Sequence, residues 1–321
     1  MKYTRIAYVE KPVSRIILGT ASQPFILGGD GAAILDGAVE NGINTFDLAR
    51  NYGYSERSVG TWLKERGCRK QVVLISKCGH PDEKGNSRIN EGAIRADLEK
   101  SCEELGTEYI DVYLLHRDDT RIPVSEIAEI MNKLHGEGRI GAFGGSNWTY
   151  RRIAEINAYA VAHGLIPFSV SSPNFGLARQ VNDPWGGGCV SISGPENEDA
   201  RKWYRQHKMP VIAYSSLGRG LFSGKIKSSE QVRATEILDP VAVKGYVLED
   251  NFERLRRAEL LAKKYGVSVP QITLCWLFRR GLDCCAVVSS TKAENFAANV
   301  AALDVPLTEQ DADYLDLKEN V

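Results

Sequence analysis

Residues 90–116 read NEGAIRADLEKSCEELGTEYIDVYLLH, and they contain a whole structural repeat. From 91 to 105, apolar residues recur at steps of three and four with charges between them, the pattern of an amphipathic helix, and Gly106 supplies the left-handed stop. Four residues after Gly106, the run IDVYLLH is short, nearly apolar throughout and too brief for a helix, which is the pattern of a strand buried on both faces. It ends in a polar residue, His116. Helix, turn, buried strand, polar end is the unit to look for elsewhere.

The same unit recurs along the chain. Strand-like runs occur as RIILGT (15–20), INTFDLA (43–49), VVLISK (72–77), IGAFGGSN (140–147), FSVSSPN (168–174), PVIAYSS (210–216) and CAVVSS (285–290). Helix-period segments lie between them at 31–42, 55–67, 125–138, 149–164 and 197–208. Eight strands alternating with helices predict a parallel sheet, and eight is the number that closes a barrel. The expected fold is therefore α/β, a (β/α)8 TIM barrel formed as one domain over residues 1–321. A doubly wound open sheet is the alternative. GGDGAA at 28–33 lacks the glycine spacing and strand context of a dinucleotide fingerprint.

Bulk properties remove several function classes. The chain carries 40 Lys plus Arg against 41 Asp plus Glu, a net charge of −1, so nothing favours nucleic acid or an anionic membrane surface as partner. Seven cysteines are scattered without disulfide or metal-ligand spacing, and no metal site is expected. No apolar run reaches the ~18 residues of a membrane span, and the N-terminus lacks a signal-peptide core. A cytoplasmic protein is the expectation; the oligomeric state is not encoded.

A barrel places its chemistry at the C-terminal ends of its strands. Those ends read Gly19 and Thr20, Asp47, Lys77, His116, Ser146 and Asn147, Ser172, Tyr214 and Ser215, and Ser289. Taken singly, each has an ordinary structural explanation. Together, neighbouring strands would bring Asp47, Lys77 and His116 to a shared mouth, with Tyr52 entering from the loop after Asp47. An aspartate closing a buried strand needs a cation, and Lys77 is the candidate. The ammonium beside Tyr52 is expected to lower the phenol's pKa from about 10 and make it a usable acid. Neutral His116 would orient a carbonyl oxygen. No nucleophile with an adjacent base appears, so reduction of a carbonyl fits better than acyl transfer.

At this point the chain resembles the aldo-keto reductase superfamily nearly end to end. The opening MKYTRIAYVEKPVSRIILGT resembles that family's N-terminal β-hairpin and first barrel strand. FDLARNYG, ISKCG, DVYLLHRDD, GGSNW and IAYSSLGRGLFSGK match its characteristic segments in order. The resemblance implies an NAD(P)H-dependent enzyme reducing a small aldehyde or ketone, with Asp47, Tyr52, Lys77 and His116 as the catalytic tetrad. It also implies a cofactor site drawn from Gly19, Thr20, Ser146, Asn147, Ser172, Tyr214, Ser215, Leu217, Arg219 and Lys225. Ser146 and Asn147 would hold the nicotinamide amide, Tyr214 would stack on its ring, and Arg219 with Lys225 would meet the pyrophosphate. VVSSTKAENFAANVAAL would place Ser289, Thr291, Lys292, Asn295 and Asn299 at the adenine ribose, so that NADPH is preferred and NADH possible.

Three departures from the family pattern stand out. Ser172 replaces a glutamine, Val288 and Ser289 replace Pro-Gly, and Asn295 replaces Arg or Gln. Long loops are expected at the C-terminal face. The longest, 174–196, carries Trp185, and Phe25, Tyr54, Trp148 and Trp185 are candidate pocket walls. The alternative function is an NADP-binding sensor or regulatory subunit with little turnover, resembling the family's channel-associated members.

Overall fold

The computed structural model describes residues 1–318. Two short strands, β1 (Tyr3–Thr4) and β2 (Val13–Ser14), pair antiparallel as the opening hairpin. Eight further strands follow: β3 (Ile16–Gly19), β4 (Thr45–Asp47), β5 (Val73–Cys78), β6 (Ile110–Leu115), β7 (Ile140–Ser146), β8 (Val170–Ser172), β9 (Val211–Ala213) and β10 (Cys284–Val288). Their order is β10-β3-β4-β5-β6-β7-β8-β9, a closed barrel of eight. This is the (β/α)8 architecture read from the sequence. The open-sheet alternative is excluded by closure.

The strands are as apolar as they are because both faces are covered. Every residue of β5 and β6 is buried. A charge in such a strand must be paired. Asp111, inside β6, accepts from the Leu74 amide at 2.9 Å and pairs with Lys11 at 2.6 Å and Arg69 at 2.8 Å.

The chain forms two compact units. The first comprises Lys2–Ser172 and Ser289–Phe296, with β3 to β8 and the helices α1 (Ala32–Glu40), α2 (Ser55–Arg66), α3 (Glu91–Leu105), α4 (Val124–Gly136) and α5 (Tyr150–Ala162). Helix α3 starts where the Asn90 side chain accepts from the Ala93 amide, and stops at Gly106 with φ +63°. The second unit comprises Pro173–Val288 and the chain from Ala297 onward. It holds β9 paired parallel with β10, α6 (Glu198–His207), α7 (Ala234–Ile237), α8 (Pro240–Tyr246), α9 (Glu249–Tyr265), α10 (Val269–Phe278) and α12 (Glu309–Leu315). Helix α11 (Glu294–Ala301) runs across the boundary in sequence. Helices α7 to α10 and α12 were not distinguished by the sequence reading. In α10 the apolar residues run almost unbroken, VPQITLCWLF, because six consecutive positions from Ile272 to Leu277 are buried.

Candidate active site

The first unit sets four polar side chains at the ends of adjacent strands. In the sheet register Asp47 lies opposite Ile75, and Lys77 opposite Leu114, so β4, β5 and β6 end side by side. Lys77 Nζ donates to Asp47 Oδ1 at 2.7 Å, to the Leu48 carbonyl at 2.8 Å and to the Tyr52 hydroxyl at 3.4 Å. The His116 and Tyr52 rings meet edge to face. Asp47, Lys77 and His116 are buried and Tyr52 is half-buried, as a group that must both be held and be reached would be. Behind them, Thr20 Oγ1 donates to the Asp47 carbonyl at 2.8 Å and so fixes the end of β4.

Electrostatics follow from this packing. Burial works against the Lys77 ammonium, but Asp47 and Tyr52 outweigh it and hold Lys77 above the ordinary lysine range. Burial also raises Asp47. The charged pair is the form that uses all three donors of Lys77, and it is the form that persists. His116 is driven well below the usual histidine range by burial, with Lys77, Arg117 and His80 adding to it. Its imidazole is neutral. The expected lowering of Tyr52 does not hold: burial pushes the phenol above its ordinary value, and the pull of Lys77 only partly offsets this. Desolvation of the hydroxyl outweighs an ammonium 3.4 Å away. Tyr52 therefore carries its proton throughout the neutral range.

Glu56, in the first turn of α2 just after that loop, is drawn elsewhere. It accepts from Ser76 Oγ at 2.6 Å and pairs with Arg50, which also reaches Glu104. It takes no part in the cluster around Lys77.

A model of the aldo/keto reductase family matches residues 15–320. The chain belongs to that family. Among curated proteins it is 30% identical over 290 residues to aldo-keto reductase YhdN of Bacillus subtilis, covering 86% of this chain and 81% of that one. It is 28% identical over 288 residues to probable aldo-keto reductase 1 of Glycine max, covering 88% and 77%. It is 26% identical over 297 residues to aldo-keto reductase yakc [NADP(+)] of Schizosaccharomyces pombe, covering 89% and 81%. The family comprises nicotinamide-dependent oxidoreductases acting on small carbonyl compounds, and this aldo/keto reductase shares that general chemistry.

Further polar groups of the reductase cluster at the ends of β7 and β8. Ser146 Oγ donates to the Ser172 carbonyl at 3.0 Å, and Asn147 Nδ2 donates to the His116 carbonyl at 3.2 Å. Asn147 sits at φ +61°, left-handed backbone that a non-glycine residue adopts only when its surroundings hold it there. Ser172 Oγ is buried without a partner among the described residues. The glycine just before Ser146 has its own reason: a Cβ on Gly145 would lie 2.4 Å from the Trp148 ring. Trp148 is fully buried there and Phe25 is equally so, whereas Tyr54 is 51% and Trp185 38% exposed, so the latter two are the aromatics with surface to offer.

In the second unit of the reductase, Trp185 meets Tyr214 edge to face at 5.8 Å and lies under the Arg219 guanidinium at 5.4 Å. Arg219 also pairs with Asp239 at 3.2 Å. Ser215 and Arg219 have φ +52° and +49°. The loop carrying Trp185 is tied by Asn174, which bonds the Val190 carbonyl, the Ile192 amide and the Tyr246 hydroxyl. Leu217 is half-buried and Lys225 exposed. Asn299 is buried.

Ser289 Oγ donates to the Gly19 carbonyl at 2.8 Å, while Thr291, Lys292 and Asn295 are exposed. Asn295 Nδ2 donates to Ser290 Oγ at 2.8 Å. Two side chains beside His116 were not singled out from the sequence. The His80 ring stands 5.1 Å from the His116 ring, and Arg117 donates to the His116 carbonyl at 2.9 Å. The signal for both was positional: each lies within three residues of a strand end that already carried a site residue. No helix among the described residues is long and apolar enough to cross a membrane.

Proposed function

We propose that this chain reduces an aldehyde or ketone to the alcohol, using NADPH, with Tyr52 as the acid that protonates the carbonyl oxygen. The observation that carries the reading is the three-way hold of Lys77 on Asp47, Leu48 and Tyr52. The donor set is one a nicotinamide amide could use: Ser172 Oγ is buried without a partner among the described residues, and Asn147, whose backbone N–H donates to the Ser172 carbonyl, stands beside it in sequence register at the ends of β7 and β8. When bound, the reduced cofactor supplies the hydride that goes to the carbonyl carbon.

Everything else is done by side chains of this protein. Tyr52 holds its proton at neutral pH and releases it to the carbonyl oxygen as charge develops there. Lys77 meets the phenolate left behind, so its charge is worth more in the transition state than before it. Asp47 keeps that ammonium charged and aimed. Neutral His116 donates or accepts one hydrogen bond at the substrate oxygen without adding a competing proton. The hydrogen bond from Lys77 to Tyr52 is long at 3.4 Å and would tighten as the phenolate forms.

Two observations support NADPH over NADH. Lys292 is exposed in the segment expected at the adenine ribose, with no carboxylate within salt-bridge range among the described residues, and the S. pombe relative carries NADP(+) in its name. The test is NADPH oxidation with a panel of aromatic aldehydes, dicarbonyls and keto sugars, run beside Tyr52→Phe. Turnover that vanishes in a variant still binding NADPH supports the reading; a variant with near-parental turnover sinks it.

A further inference from the structure

Of the cations near the tetrad, one stands apart from the rest. Asp47 is taken by Lys77, Asp97 by Arg88 at 2.6 Å, Asp118 by Arg152 at 3.4 Å and Asp119 by Arg121 at 2.8 Å. Lys77, Arg88, Arg152 and Arg121 are thus each engaged by a carboxylate, Arg152 by Glu155 as well, while Asp82 in the His80 loop is held by Asn86 and by backbone N–H groups of its own loop. Arg117 has none: among the described residues no carboxylate lies within 4.0 Å of it, and its hydrogen bond goes to the His116 carbonyl. Its backbone is fixed, since the Trp148 indole N–H donates to the Arg117 carbonyl at 3.2 Å. Its side chain is half-buried. The charge is felt at three groups of the site, Tyr52, His116 and His80. His80, held by its own loop through Nδ1 and the Pro81 carbonyl at 3.0 Å, is kept on the neutral side by burial, with Arg117 and Arg88 adding to it, so it brings no second charge.

A guanidinium left without a counter-ion beside a reaction centre is a ready fork for an oxyanion. We propose that Arg117 anchors an anionic group of the substrate, so that the carbonyl compounds this site prefers are those bearing a carboxylate or a phosphate, with His80 as a neutral wall beside it. The inference rests on the carbonyl-reductase reading above and narrows it to a substrate class. It assigns Arg117 to substrate recognition, whereas the tetrad performs the proton transfer.

The test compares each acid with its neutral counterpart in the NADPH-loaded enzyme. The 2-, 3- and 4-carboxybenzaldehydes are set against their methyl esters, and glyceraldehyde 3-phosphate against glyceraldehyde. The parent should favour the anionic member of at least one pair by about tenfold or more in kcat/KM, expressed mainly in KM, as a charge-assisted hydrogen bond gives. Arg117→Gln should bring that ratio close to one, and Arg117→Lys should leave an intermediate ratio. Which pair responds tells carboxylate from phosphate. A parent with no anionic preference in any pair overturns the proposal. So does a ratio unchanged in Arg117→Gln while both members slow alike, since the guanidinium would then act on the reacting oxygen alone. If no carbonyl is reduced at all, the reductase reading fails separately, and the Kd ratio of acid to ester for the NADP+-loaded protein, parent against Arg117→Gln, decides the Arg117 question by the same criterion.

Discussion

The phenol of Tyr52 and the imidazole of His116 stand edge to face, their centroids 5.6 Å apart and their planes at 79°. Two groups from beyond the ends of different strands thus share one small volume, and both are uncharged at physiological pH, the phenol because it keeps its proton and the imidazole because it takes no second one. That protonation state yields a pH expectation. Because burial holds Tyr52 above its ordinary value, its proton is not lost before the alkaline end, and reduction should show no Tyr52-dependent fall up to about pH 9. A rate profile with an inflection near neutrality that disappears in Tyr52→Phe's residual activity would refute it.

His116 carries a stability consequence of definite sign. Its folded-state pKa lies well below the unfolded value of about 6.5, so between the two the unfolded chain binds the extra proton. Stability contributed by the neutral, buried imidazole is present above pH 6.5 and is lost as pH falls through that window. Melting temperatures from pH 7.5 to 5.0 should drop more steeply for the parent than for His116→Asn. Equal slopes would show that His116 is not buried neutral.

The Lys77–Asp47 pair should behave as a buried ion pair does. Lys77→Met leaves a buried carboxylate uncompensated and should cost about 3–5 kcal/mol, seen as a lower denaturant midpoint. Adding Asp47→Leu should recover most of that loss while activity stays absent. Failure of the second substitution to recover stability would mean that the pair contributes net stability of its own.

Gly145 is under steric constraint. A methyl group there would lie 2.4 Å from the Trp148 ring, so Gly145→Ala should destabilise by about 1–3 kcal/mol and weaken cofactor binding through the neighbouring Asn147. Thermal melts and NADPH titration check both parts. A variant of parental stability would show that Trp148 moves aside at no cost.

For cofactor choice, Lys292→Ala should raise KM for NADPH by about tenfold, the worth of one charge-assisted contact, and leave KM for NADH where it was. Equal changes for the two cofactors would place Lys292 away from the 2'-phosphate.

The barrel was legible because its grammar is local. Short apolar runs, most of them following an amphipathic helix and each ending in a polar residue, could be counted to eight, and strands β3 to β10 fall on those eight runs. In the segment 234–278, α7 and α8 are single-turn or two-turn pieces and α10 is buried nearly all round, so none of these shows a clean period, whereas α9 keeps a regular buried stripe of Phe252, Leu255, Ala258 and Leu261 that the sequence reading passed over. Asp47, Lys77 and His116 could be placed together because neighbouring strand ends are neighbours in space. The protonation of Tyr52 could not be read, since it depends on how completely burial strips water from a hydroxyl. Arg117 escaped notice for a similar reason: an arginine without a carboxylate is defined by what its neighbours already bind, and only coordinates show that.

One consequence of the hold on Lys77 concerns side reactions. Its ammonium spends a hydrogen on each of Asp47, Leu48 and Tyr52, and its affinity for protons is raised, so the nitrogen has no lone pair to offer. A primary amine next to an aldehyde would ordinarily condense with it and lose water to form an imine. Here that capture is closed off, and a lysine can sit at the centre of aldehyde chemistry without being consumed by it.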